Sequence, residues 1–118
     1  LHPNFKKAII ESDGHDTILT EIPDLAMGTV WPGAMSRAQR NTFIEKWVGR
    51  EWELRQYQGI AKTDVMTARK EGNADNAPLS FGQDAGLIND IIPAGDIVLR
   101  IAKEAEDIMY SKLPNLGG

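Results

Sequence analysis

The chain has no cysteine, which excludes disulfides, thiolate metal ligands and a thiol nucleophile. It has no apolar run near the roughly 20 residues needed to cross a bilayer. Only two of its 118 residues are histidines, so the side chain best suited to proton transfer near neutral pH is scarce. A basic excess is absent too. Thirteen Lys and Arg face 17 Asp and Glu, for a net charge of −4, and that balance counts against nucleic acid as a partner. No internal repeat, low-complexity tract or secretory signal stands out, and the chain opens on Leu1-His2-Pro3. A start at Leu reads as a fragment or a processed product, and the expected location is intracellular and cytoplasmic, with no membrane partner.

What is present is globular: 42% hydrophobic and 25% charged residues. The length suits one domain that would bury roughly two-thirds of its unfolded surface if it closed a core by itself. Pro3 fits the first position of a helix carrying Phe5, Ala8 and Ile9 inward, which Asp13-Gly14 stops. Asp16 to Ile22 reads as a short strand ended by Pro23, with Ile18, Thr20 and Ile22 on one face. Asp24 to Met35 reads as an irregular connection around Val30 and Trp31. Ser36 with Gln39 has the spacing of a capping box and predicts a helix with Phe43, Ile44, Trp47 and Val48 inward. Gly49 ends or weakens that helix, and Gly59 reads as the firmer break. A third helix is predicted over Ala61 to Glu71, with Val65 and Ala68 inward, ending at Gly72. Residues 72–78 form the polar loop. Beyond them come Leu79-Ser80-Phe81-Gly82-Gln83-Asp84-Ala85-Gly86-Leu87-Ile88, a short helix through Leu87 and Ile88, and a long helix opened by Pro93. Its apolar stripe is Ala94, Ile97, Val98, Ile101, Ala105, Ile108 and Met109. Pro114 ends it, before a loose tail at Leu116-Gly117-Gly118.

The fold class expected is therefore mainly α with one or two short strands. Two isolated strands are marginal in water. Either they pair with each other under the helices or their neighbours lie in polypeptide outside this sequence, and the second reading is favoured.

Few residues promise chemistry. His2 and His15 fall in surface turns, without a second His or Cys at metal-ligand spacing. Asp13 with Asp16, Glu51 with Glu53, and Glu104, Glu106 with Asp107 lie in turns or on solvent faces, where solvation explains them better than a general-acid pair. Arg37, Arg40, Lys46, Arg50 and Arg55 interleave with Phe43, Trp47, Trp52 and Tyr57. Such a pattern suits a stacking surface for phosphates, and equally a helix that buries its rings and solvates its cations. Arg40-Asn41 reads as structural. Ser80 lacks the G-x-S-x-G context of a nucleophile and suits positioning a ligand. Gly82 and Gly86 permit either close packing or close approach of backbone to a ligand.

Three blocks, in order, resemble the C-terminal part of the nitronate monooxygenases, formerly 2-nitropropane dioxygenases. These are Leu1 to Ile10, similar to a family helix of pattern HPxxKxAI; Ser36-Arg37-Ala38-Gln39-Arg40-Asn41-Thr42-Phe43; and Ser80 to Ile88 with the helix Ala94 to Met109. The resemblance implies the C-terminal segment of an FMN-binding (β/α)8 barrel, with residues 1–34 flanking the barrel's end. Residues 35–77 would be a helical substrate-cap excursion, and residues 78–118 a flavin-side return loop and C-terminal helices. It implies oxidation of alkyl nitronates or nitroalkanes by O2, with Ser80, Gly82 and Gln83 at the cofactor and Ser80 and Phe81 at the substrate. The catalytic histidine and the phosphate-binding turns would lie on a missing N-terminal barrel segment, so no catalytic residue is expected here. A homo-oligomer is compatible with it. Two alternatives stand beside this reading. One is an enoyl-reductase-like member of the same flavin barrel superfamily. The other is a free-standing helical interaction module docking through Trp47, Trp52 and the Ile97–Ile108 stripe.

Overall fold

The computed structural model describes residues 2–29 and 31–112; the expectations placed on Val30, Pro114 and the tail at Leu116 to Gly118 lie outside them. Mainly helical, the chain carries one two-stranded sheet. Helix α1 (Pro3–Glu11) takes Pro3 in its first turn, and His2 Nδ1 accepts the Asn4 N–H at 3.2 Å as its N-cap. Strand β1 (Thr17–Thr20) then leads into α2 (Ile22–Met27), where the sequence predicted a loop. Pro23 therefore opens a helix and does not merely end a strand, in keeping with proline's fixed φ in a first turn.

The second correction concerns Ser36–Gln39, which forms strand β2 instead of a helix cap. The reason lies in its partners. Asn41, five residues on, takes the capping role: its Oδ1 accepts the Ile44 N–H at 3.1 Å. Gln39 meanwhile turns its amide to Asp16 Oδ2 at 3.0 Å. Strand β2 pairs antiparallel with β1, Ile18 opposite Ala38, and Ser80 makes an isolated bridge to Ala38. Strand β2 thus lies between β1 and the Ser80 segment, so β1 finds its partner within this chain, against the favoured expectation.

Helices α3 (Thr42–Trp47), α4 (Glu51–Gln56) and α5 (Gln58–Glu71) follow. The break falls at Tyr57, and Gly59 sits inside α5, against expectation. Packing explains it: Ala61 and Val65 join Ile22, Ala26, Ile44, Trp47 and Leu54 in the main core, and that burial outweighs the propensity cost of a helical glycine, about 1 kcal/mol. A second cluster joins Phe5, Ala68, Ala77 and Leu79, with Phe81 packed against it. It ties α1 to the end of α5 and to the polar loop.

A 3₁₀ turn, η1 (Gln83–Leu87), and the final helix α6 (Ala94–Ser111) complete the chain. Helix α6 buries no residue. Its Arg100 holds Asp90 through two hydrogen bonds of 2.8 and 3.3 Å, which ties the preceding link to the helix. The radius of gyration is 18.5 Å, against about 13.5 Å for a compact chain of this length. The accessible surface, 8157 Å², compares with about 6,300 Å² for a compact monomer of this mass. No described helix is long and apolar enough to cross a membrane.

Candidate functional site

The stretch from Ser80 to Gln83 forms a ledge beside β2. Backbone atoms fasten it at both ends. At the near end the Gln39 N–H donates to the Leu79 carbonyl at 2.8 Å, next to the Ala38–Ser80 bridge. At the far end, residues 83–86 lie against the turn after α1. A Cβ on Gly14 would overlap the Gln83 carbonyl oxygen, and one on Gly86 would overlap the carbonyl of Asp13. Gly14 also has φ +82°, a conformation L side chains rarely adopt. Gly86 therefore serves close packing. Gly82 does not, since a Cβ there would meet nothing nearer than the Asp84 nitrogen at 3.9 Å.

Ser80, Gly82 and Gln83 are all exposed, and Phe81 is half-buried, set into the second cluster. So the ledge presents one hydroxyl, one bare backbone unit and one amide to its surroundings, with an aromatic ring as its footing. The structure brings the four together on one short segment because they are sequential. The histidines stand elsewhere: His2 caps α1 and lies over Gly72, and His15 is an exposed turn residue. Among the described residues no three His, Cys, Asp or Glu side chains cluster as a metal site.

The turn that receives the ledge is itself pinned by Asp16, a residue the sequence reading left to solvation. Its carboxylate accepts from Ser12 Oγ and from Gln39 Nε2, and its carbonyl accepts the Arg40 N–H at 2.7 Å. Partial burial pushes the Asp16 carboxyl up, but the hydrogen bonds from Ser12, Gln39 and the backbone outweigh it and hold it below the usual range. Asn41 closes the other side. It is buried, and its amide donates to the carbonyls of Ala74 and Ala77 at 2.9 and 2.7 Å. Thr42 then donates its N–H and hydroxyl to Asp75, lowering that carboxyl below its ordinary value. Arg40 pairs with Glu45 at the surface. The structural reading of Arg40-Asn41 holds, with Asn41 the more deeply engaged.

Sequence reasoning missed Gly14 as a packing residue and Asp16 as a pin. The available signal was the Ser12-Asp13-Gly14-His15-Asp16 run, whose hydroxyl and carboxylates are spaced for turn hydrogen bonds. The aromatic residues of the helical region divide. Phe43 and Trp47 are buried, whereas Trp52 and Tyr57 are exposed. Of the features expected to form a docking surface, Trp47 is thus buried, while Trp52 and the Ile97–Ile108 stripe are exposed.

No family model and no curated protein matches the chain. Among solved structures it is similar to "Structure of FabK from Thermotoga maritima", with a TM-score of 0.66 and 26% sequence identity over 93% of this chain. The chain spans 33% of that protein's length.

Proposed function

We propose that this chain is the C-terminal part of an FMN-dependent oxidoreductase built on a flavin barrel, and that the reaction is of the enoyl-reductase type, reducing an enoyl thioester at the expense of NAD(P)H. The observation that carries the reading is the likeness to FabK, an enoyl-ACP reductase of the flavin-barrel class, over almost the whole of this chain. Oxidation of alkyl nitronates by O2 is the second reading, favoured by the three ordered blocks at Leu1–Ile10, Ser36–Phe43 and Ser80–Ile88.

The ledge has the chemistry to wall a flavin. Ser80 can donate or accept at a ring edge, the Gly82 backbone allows close approach, and the Gln83 amide offers both a donor and an acceptor. Phe81 anchors the ledge and leaves only its exposed edge for a substrate. The bound flavin would supply the redox chemistry, the protein its position and polarity. In this reading the FMN phosphate is held by barrel polypeptide outside this sequence. In the same reading residues 1–34 flank the barrel, residues 35–77 cap the substrate, and residues 78–118 return beside the cofactor.

The test is made on a polypeptide that joins this segment to its barrel. Purified protein should carry flavin absorption, oxidise NAD(P)H with an enoyl thioester, and consume little O2 with a nitronate. Ser80→Ala and Gln83→Ala should each weaken FMN binding about fivefold, the worth of one lost hydrogen bond. Flavin-free protein would overturn the assignment, and O2 consumption with the nitronate alone would select the second reading.

A further inference from the structure

The ledge is held at one end by Gln39 and at the other by the turn after α1, and both holds converge on one side chain, Asp16. A carboxylate accepts on both oxygens and donates on neither. In Asp16, Oδ1 takes the Ser12 hydroxyl and Oδ2 takes the Gln39 side-chain amide at 3.0 Å. Each oxygen thus serves a different end of the ledge.

On the Gln39 side, the residue whose amide Asp16 holds sends its own N–H to the Leu79 carbonyl at 2.8 Å. The Asp16 carbonyl adds a hold one residue on, taking the Arg40 N–H at 2.7 Å. These bonds fix β2 where Ala38 bridges to Ser80. On the Ser12 side, the hydroxyl bound to Asp16 also accepts the Gly14 N–H at 3.0 Å, and Ser12 is buried. Thr17 closes the same turn by donating its hydroxyl to the Gly14 carbonyl at 2.9 Å. The backbone so fixed at Asp13 and Gly14 is the surface that residues 83–86 lie against, too closely for a Cβ on Gly14 or Gly86.

We propose that Asp16 is the positioning residue of the Ser80–Gln83 ledge, its two oxygens setting the two ends at one spacing. It acts through Gln39 and through the Ser12–Gly14 turn. The inference deepens the flavin reading and rests on it only for the consequence at the cofactor, where a loosened ledge would hold FMN less tightly.

Hydrogen exchange of two amides in the 118-residue chain reads the two ends. The N–H of residue 39, bound to the Leu79 carbonyl, reports the near end. The Ala85 N–H, bound to the Gly82 carbonyl at 3.1 Å, reports the far one. Asp16→Ala should speed both about tenfold, the worth of a lost hydrogen bond to a charged group. Gln39→Ala should speed only the first, and Ser12→Ala only the second. Adding Asp16→Ala to Gln39→Ala should change the residue 39 amide no further, and adding it to Ser12→Ala should change the Ala85 amide no further. The Val65 amide, in the main core, measures general loosening and should keep its rate in both of those single variants. Additive effects in the pairs, or an unmoved Ala85 amide in Asp16→Ala, would overturn the proposal. Gln39→Ala and Ser12→Ala both keep Asp16, so their opposite patterns decide the matter even where Asp16→Ala does not fold. Either of them loosening both ends alike, or Val65 with them, would overturn it too.

In the polypeptide joined to its barrel, Asp16→Ala should weaken FMN binding about tenfold, with Ser80 and Gln83 left in place. Flavin-free parent protein would sink the flavin reading and leave the exchange pattern standing. Unaltered FMN affinity in Asp16→Ala would instead overturn the positioning role.

Discussion

Helices α5 and α6 each carry an apolar stripe, the sharper one on α6, and the two stripes meet opposite fates. In α5, Ala61, Val65 and Ala68 are buried against two different clusters. In α6 the stripe is longer and richer in large residues, yet Ile97, Val98, Ile101, Ile108 and Met109 stay 37% to 66% exposed. Periodicity tells which face of a helix wants covering. Whether the cover belongs to the same stretch of polypeptide is a separate matter, and α6 shows the two coming apart. Helix α6 buries no residue, so it draws little stability from packing within the described chain.

Substitutions can break or sharpen this contrast. Leu54→Ala in the main core, where Leu54 is fully buried, should cost about 4 kcal/mol and abolish cooperative urea unfolding. Next comes Gly14→Ala, which combines a disfavoured φ with overlap on the Gln83 carbonyl. It should cost about 3 kcal/mol and release the ledge, seen as faster amide exchange at residues 82–87. Asn41→Ala removes a cap and leaves the Ala74 and Ala77 carbonyls short of a donor, at about 2 kcal/mol. At the far end of the scale, Ile101→Ala on α6 should change stability by less than about 0.5 kcal/mol. A loss above 2 kcal/mol there would mean that α6 packs on its own chain, and the contrast would fail.

A pH series probes the same body. Asp16 and Asp75 both have folded-state pKa values below the ordinary carboxylate value. A depressed folded pKa contributes stability that is fully present above the unfolded value, near 4, and lost as pH falls through the folded one. Urea midpoints should therefore hold from pH 7 to about 5 and fall below it. Asp16→Asn with Asp75→Asn should lower the midpoint at neutral pH and flatten the acid limb.

Much of the body was legible in the sequence because local chemistry and tertiary packing agree there. Pro3 and Gly72 bound their helices as expected. Phe43, Ile44, Trp47, Val65 and Ala68 point inward as their spacing predicts. Illegible were the places where a distant partner decides. Ser36–Gln39 carries a helix-capping pattern and becomes a strand because Asp16, twenty-three residues before Gln39, claims its amide. Gly59 fails to break its helix because α2 and α4 pack along α5. For the candidate site, the sequence singled out the Ser80–Gln83 segment, which the structure displays at the surface beside β2. It could not separate Gly86, which packs, from Gly82, which faces open space.

The ledge is fastened by main-chain atoms: the Leu79 carbonyl on one side, and the backbone of residues 83–86 against Asp13 and Gly14 on the other. Its course thus owes little to what Ser80 or Gln83 carry beyond Cβ. Those two positions can be exchanged while the supporting trace stays put, so the loop's path and the side chains it displays can vary independently.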